Sequence, residues 1–184
     1  MSKLCYRWHK LQSKWRTFCL RSAGVEIGAA CAIAEGVTVR RDSLPYKLGQ
    51  VRIGAGVELS RGVILDCWGG NITLDDRVFL GPYAIVYGHG DVSIGKNSLI
   101  AMHCRILSSN HTIPERHVGI RSQPDILLPV TIGEDVWLGA GVTILGGITV
   151  ADGCVVGAGA VVTKNLPPYS VAVGVPAQVV RERP

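Results

Sequence analysis

Through the C-terminal half of this chain aliphatic residues recur every six positions: Ile132, Leu138, Ile144, Val150, Val156 and Val162. Two residues before each stands another small or aliphatic side chain: Val130, Val136, Val142, Ile148, Cys154 and Ala160. Gly follows in the pairs Ile132-Gly133, Leu138-Gly139 and Val156-Gly157. An α-helix repeats near 3.6 and a flat strand at 2, so a sustained period of six excludes both as long elements. It requires a chain that makes a short strand, turns a corner and repeats.

The same step continues upstream in triplets: Ile27, Ile33, Val39; Ile53, Leu59, Leu65; Leu74, Leu80, Val86; and Ile94, Ile100, Ile106. Each triplet reads as one 18-residue turn of a three-sided prism. Gly, Asn and Asp at the corners supply the backbone angles that other residues resist. Between triplets the step exceeds six by 8, 3, 2, 20 and 0 residues, always after a third hexad and before the next first one. Every insertion therefore leaves from one corner. Six stacked coils spaced about 4.8 Å apart make a column on the order of 25–30 Å tall.

Composition agrees. Hydrophobic residues make up 47% of the 184, yet only 2 are Phe and 23 are Gly. That is too apolar for a disordered chain and too rich in Gly and β-branched residues for a helical bundle. The length suits one domain. Residues 1–24 carry six cations (Lys3, Arg7, Lys10, Lys14, Arg16, Arg21) and no acid, whereas the remainder is close to neutral. With no basic stripe across the body, a nucleic-acid partner is not expected. The six cysteines show no CxxC spacing. No secretory signal is evident, and the longest uncharged run, Val136 to Ala151, is too short to span a bilayer. Reduced thiols in a cytoplasmic protein are expected.

The repeat strongly resembles the hexapeptide-repeat acyltransferase superfamily, over roughly Val25 to Arg183. The resemblance implies an all-β fold: a left-handed parallel β-helix of about six coils, with a short N-terminal helix and a long loop between coils four and five. The hand comes from the resemblance alone, because the general rule for parallel crossovers gives right. The division expected is a basic amphipathic helix over 1–24, the β-helix over 25–166 with an active-site loop at 108–129, and a tail over 167–184.

The 20-residue insertion contains Ser108-Ser109-Asn110-His111-Thr112-Ile113-Pro114 and, further on, Ile120-Arg121-Ser122-Gln123. A long loop in a compact repeat usually carries function. Its opening resembles the Asn-His segment of sugar O-acetyltransferases, and the later run resembles polysaccharide-linked members. The resemblance makes Asn110 and His111 the catalytic pair, with His111 as base. Imidazole titrates near enough to neutrality to take a hydroxyl proton and return one to a thiolate. Glu115 is the acid nearest in sequence that could orient it. His9, His89, His103 and His117 take the plainer reading as solvated or structural, with His103 pointing outward, and the alternative for each is a place in the lining of a substrate pocket.

The runs from Ile132 to Ala140, from Gly157 to Lys164 and from Gly174 to Ala177 resemble the most characteristic part of the superfamily. They imply acetyl-CoA as cosubstrate: Trp137 against the pantetheine arm, Gly139, Ala140 and Ala158 admitting it to the backbone, and Thr163, Lys164 and Arg181 at the nucleotide end. No metal is required. The Asn that maltose- and galactoside-type members carry in coil three is absent from Leu80-Gly81-Pro82-Tyr83, which favours the polysaccharide-linked branch.

The resulting expectation is an acetyl-CoA-dependent O-acetyltransferase of a sugar hydroxyl in surface-polysaccharide synthesis, acting as a homotrimer with sites between subunits. Its rivals are an N-acetyltransferase of a nucleotide-linked amino sugar and, remotely, a zinc protein of the γ-type carbonic anhydrase kind using His89, His111 and His117. In the N-terminal segment Leu4, Trp8, Leu11, Trp15 and Phe18 share one helical face among cations. Two uses are open to that face: covering the open end of the column, or lying on an anionic inner-membrane surface.

Overall fold

In a computed structural model the described residues are 3–43 and 47–184. The N-terminal helix Lys3–Ser22 leads into a column whose strands form three parallel sheets. The first face begins with Glu26–Ile27 and ends with Thr149–Val150; the second begins with Ala32–Ile33; the third begins with Thr38–Arg40 and ends with Val161–Val162. Ladder pairs join one coil to the next, for example Leu59 with Leu80, Leu80 with Ile100, Ile100 with Leu138 and Leu138 with Val156. This is the left-handed parallel β-helix that the resemblance implied.

The hexad positions fill the prism. Leu65, Leu74, Leu80, Val86, Ile94, Ile100, Ile106, Leu138, Ile144 and Val150 have no solvent exposure. Each such aliphatic side chain contributes about 1.5–3 kcal/mol on burial. Successive rungs stack one aliphatic residue on another, which is why the core needs almost no aromatic residues. Between Val156 and the C-terminus the chain adds one more strand to the second face, Ser170–Val173, which then pairs antiparallel with Gln178–Glu182.

Departures from the repeat are confined to the corner between the third and first faces. There Asp42–Ser43 pairs antiparallel with Lys47–Leu48. Residues 44–46, inside that first insertion, lie outside the described residues. Three coils further on, the long loop leaves from this same corner and its two ends close as a hairpin, Ser109–His111 against Asp125–Leu127.

The helix covers coil one, but not with the face expected. Ser13 Oγ accepts a hydrogen bond from Ile33 N at 2.8 Å, and Arg21 donates to the Ile27 and Gly28 carbonyls at 2.7 and 2.9 Å. Arg16 reaches the Ile33 carbonyl, and Leu20 packs on the core. Trp8, Leu11, Trp15 and Phe18 are instead turned outward, between 61 and 66% exposed. The reading in which the apolar stripe seals the column is thus corrected. The first strands of a β-helix present unpaired backbone groups as well as apolar side chains, and only polar side chains satisfy those groups. Leu4 has no described side chain.

Candidate active site

The corner that carries the insertions is built by close backbone stacking. A Cβ at Gly70 would collide with the Gly88 carbonyl oxygen, and one at Gly90 with that of Ser108. Buried Ser108 locks the layers: its hydroxyl donates to the Tyr87 carbonyl at 2.7 Å and accepts from Gly90 N at 2.9 Å. Its own carbonyl accepts from Leu128 N at 2.8 Å, closing the base of the long loop. The loop therefore springs from a fixed platform.

On that platform the hairpin pairs His111 directly with Asp125. Their side chains meet, Nδ1 of His111 lying 2.5 Å from Oδ1 of Asp125. A carboxylate at Nδ1 holds the proton there and leaves Nε2 as the basic nitrogen. The orienting acid is thus Asp125 and not Glu115, which is exposed and joins its loop through a backbone turn to Val118. Asn110 uses its side-chain oxygen to accept a hydrogen bond from His111 N at 3.0 Å, bracing the residue that bears the imidazole. Thr112 adds a further tie by donating to the Pro124 carbonyl at 2.6 Å.

The other oxygen of Asp125 faces a second imidazole. Nδ1 of His89 lies 3.3 Å from Oδ2, close enough for an ion pair but off the hydrogen-bonding direction, so this buried nitrogen carries no hydrogen bond. The His89 ring stands edge-on to two aromatic rings, Tyr87 with centroids 6.1 Å apart and Trp68 at 6.5 Å. Burial, reinforced by the negative charges of Asp125 and Asp66, raises the Tyr87 phenol above its usual range, so it stays neutral at physiological pH. Asp66 sits beside Tyr87 in the ladder, its Oδ2 3.7 Å from Arg40 and its Oδ1 buried without a partner.

Residues expected to hold acetyl-CoA lie elsewhere on the prism. Trp137 is on the second face and 53% exposed. Gly139, Ala140 and Ala158 come together at the corner between the second and third faces, where Gly139 N donates to the Val156 carbonyl and Gly159 N to that of Ala140, each at 2.8 Å. A Cβ at Gly139 would stand 2.7 Å from Ala158 N, so only glycine allows these two coils to approach. At the same corner Gly141 and Gly159 adopt φ of +72° and +71° and face open space. Thr163 and Lys164 are exposed where the third face ends, and Arg181 is exposed on the last strand of the second face. Within one chain, then, the His111–Asp125 pair and the Trp137 surface belong to different sides of the column. His103 is exposed, as expected, and stacks on Tyr83 at 5.5 Å.

Among the described residues no group of three or more His, Cys, Asp or Glu side chains is arranged to hold a metal ion.

The sequence profile of the bacterial transferase hexapeptide family (six repeats) matches residues 129–164. A probable acetyltransferase of Mycobacterium tuberculosis is 34% identical over 169 residues, which cover 92% of this chain and 56% of that protein. The chain thus spans little more than half of that relative. The putative colanic acid biosynthesis acetyltransferase WcaF of Escherichia coli is 31% identical over 170 residues, covering 92% of this chain and 76% of its own. Among solved structures, a hexapeptide-repeat-containing acetyltransferase of Vibrio cholerae, complexed with acetyl-CoA, superimposes with a TM-score of 0.64 at 25% identity over 70% of this chain and 69% of that one. A repeat shared in sequence with the profile, in length with the colanic acid relative and in coordinates with the Vibrio enzyme leaves one assignment: the chain belongs to the hexapeptide-repeat acetyltransferase family.

Proposed function

We propose that this protein transfers an acetyl group from acetyl-CoA to a hydroxyl of a sugar acceptor in the synthesis of a surface polysaccharide, with His111 as the general base. The observation that carries this reading is the imidazole of His111, held through Nδ1 by Asp125 and 43% exposed on the side chain. Nε2 takes the proton of the sugar hydroxyl as its oxygen attacks the thioester carbonyl. The C–S bond breaks, and the same proton passes to the departing sulfur, so that the base is regenerated. Asp125 stabilises the imidazolium formed in between. General-base assistance of this kind contributes about 10²–10⁴ in rate. The colanic acid relative supports a polysaccharide acceptor, and the acetyl-CoA held by the Vibrio enzyme supports the donor.

The separation of His111 from Trp137, Gly139, Ala140 and Ala158 in one chain supports a homotrimer. In that assembly Trp137 and the second corner of one subunit hold the pantetheine arm, Thr163, Lys164 and Arg181 receive the nucleotide end, and the neighbour supplies His111. The test is thiol release from acetyl-CoA by wild type and His111→Ala, against nucleotide-linked and lipid-linked sugars. Acceptor-dependent release falling about 100-fold or more in the variant is expected. Release unaffected by the substitution would remove His111 from the mechanism.

A second reading concerns where the enzyme works. Among the described residues no helix is long and apolar enough to cross a membrane. The outward Trp8, Leu11, Trp15 and Phe18, on a helix with no acid in its first turn and Arg21 in its last, suit the interface of an anionic bilayer. We place the enzyme in the cytoplasm at the inner-membrane surface, within reach of lipid-linked sugars. Co-sedimentation with anionic vesicles at low salt, lost in Trp8→Ser/Trp15→Ser, tests this, and equal sedimentation of both forms would refute it.

A further inference from the structure

We propose that Trp68 and His89 form the acceptor subsite, in which the indole stacks on the apolar face of a pyranose ring and His89 Nε2 accepts a hydrogen bond from a second hydroxyl of that ring. The inference rests on the acetyltransferase reading and deepens it by assigning the residues that recognise the sugar.

Three observations lead there. Trp68 is a large aromatic residue held with φ of +45°, a backbone conformation that bulky residues rarely adopt, and it is left 40% exposed. Strained, exposed side chains concentrate where function maintains them. Second, Trp68 enters in the insertion between coils two and three, His89 in that between coils three and four, and His111 in that between coils four and five. Because all three insertions share one corner, three successive layers aim these side chains into the same space. Third, a single carboxylate serves both imidazoles, Oδ1 toward His111 Nδ1 and Oδ2 toward His89 Nδ1. The hydrogen bond to Asp125 holds the His111 proton at Nδ1, and the carboxylate charge 3.3 Å from His89 Nδ1 favours a proton there too, which leaves Nε2 of each ring as an acceptor.

Chemistry then separates their tasks. His111, on the exposed hairpin, meets the hydroxyl that reacts. His89 is wedged between Trp68, Tyr87 and Asp125, with 20% of its side chain exposed and Nδ1 buried; in the proposed subsite the exposed part of the ring presents Nε2 to the sugar. A ring fixed by two aromatic edges is suited to hold a neighbouring hydroxyl and poorly suited to move with a proton. Vicinal hydroxyls on a ring whose other face is apolar match two acceptors beside an indole.

Binding of methyl glycopyranosides of glucose, galactose, mannose and fucose to the full chain, measured by saturation-transfer NMR, tests the subsite without turnover. At least one glycoside is expected to bind wild type, with affinity weakened about tenfold or more in Trp68→Ala and in His89→Phe, and within about threefold in Trp68→Phe. His89→Phe keeps an aromatic ring beside Trp68 and Tyr87 and removes both ring nitrogens, the Nε2 acceptor and the Nδ1 that faces Asp125; circular dichroism verifies that each variant is folded. In thiol release the same variants raise the acceptor KM while leaving the acetyl-CoA KM within about twofold. Equal binding by wild type and Trp68→Ala, or no binding of any glycoside by wild type, overturns the proposal. An unchanged acceptor KM in Trp68→Ala and His89→Phe would likewise overturn the subsite, whereas the His111 assignment stands or falls on thiol release by His111→Ala alone.

Discussion

Replacing Asp125 by Asn keeps the size of the side chain and removes the charge that faces His111 and His89. In the native hairpin Asp125 Oδ1 accepts from His111 Nδ1 at 2.5 Å, and the carboxylate has 29% exposure. An amide in its place presents an NH₂ group to Nδ1, which favours the opposite tautomer and places a hydrogen on the nitrogen meant to act as base. It also removes the negative charge opposite the imidazolium formed on proton transfer. A correctly positioned base is worth about 10²–10⁴ in rate, and partial solvent access places this pair toward the lower half of that range. We expect kcat for acceptor-dependent thiol release to fall about 100- to 1,000-fold. The KM for acetyl-CoA, which we propose binds on another side of the column, is expected to stay within about twofold. Stability should change by less than about 1 kcal/mol, because the pair is partly exposed and the Ser109–His111 and Asp125–Leu127 hydrogen-bond ladder persists. The assay is steady-state thiol release with both substrates varied, alongside urea denaturation. Activity within about threefold of wild type would refute the dyad, as would an equal loss in Glu115→Gln.

Three further outcomes follow from the packing. Ser13→Ala leaves Ile33 N, in a strand whose side chain is 1% exposed, without its acceptor, and should destabilise the helix-to-column contact by about 1–3 kcal/mol in urea unfolding; an unchanged midpoint would mean water replaces the hydroxyl. Gly70→Ala forces coils two and three apart at the Gly88 carbonyl, so we expect about 1–3 kcal/mol of lost stability with a lower melting temperature, and an unaltered melt would show that the corner yields. Burial, then the charge of Asp66, pushes the Cys67 thiol up to about 11, so at pH 8 iodoacetamide should label exposed Cys19 and spare Cys67, as read by peptide mass spectrometry. Since the folded thiol holds its proton above the unfolded value of 9.0, Cys67 stabilises the fold below pH 9.0 and that contribution is lost as pH rises toward about 11. Cys67→Ala should flatten that part of the pH profile, and an identical profile would contradict the assignment.

The column is legible in the amino-acid order alone. Hexads from Ile27 to Val162 specify three faces because each inward aliphatic residue has one stacking partner above and one below, and a one-residue slip would turn every such side chain to solvent. The spacing of the triplets also located all insertions at one corner, and the loop bearing Asn110 and His111 among them. Tertiary structure decided which residues meet there. Asp125 is 14 residues from His111, and nothing but the antiparallel register of a hairpin whose base is clamped by Ser108 places them opposite one another. Trp68 and His89 come from other coils, and stacking alone makes them neighbours. Shared residence in the insertions of one corner was the signal that could have drawn attention to them. The helix shows the same division. Its amphipathic period was plain in Trp8, Leu11, Trp15 and Phe18, but the face that docks was chosen by the unpaired backbone of coil one, which Ser13, Arg16 and Arg21 satisfy and an apolar stripe cannot. Local periodicity fixes what each segment becomes. Which side chains share a site depends on contacts between segments, and those exist only once the layers are stacked.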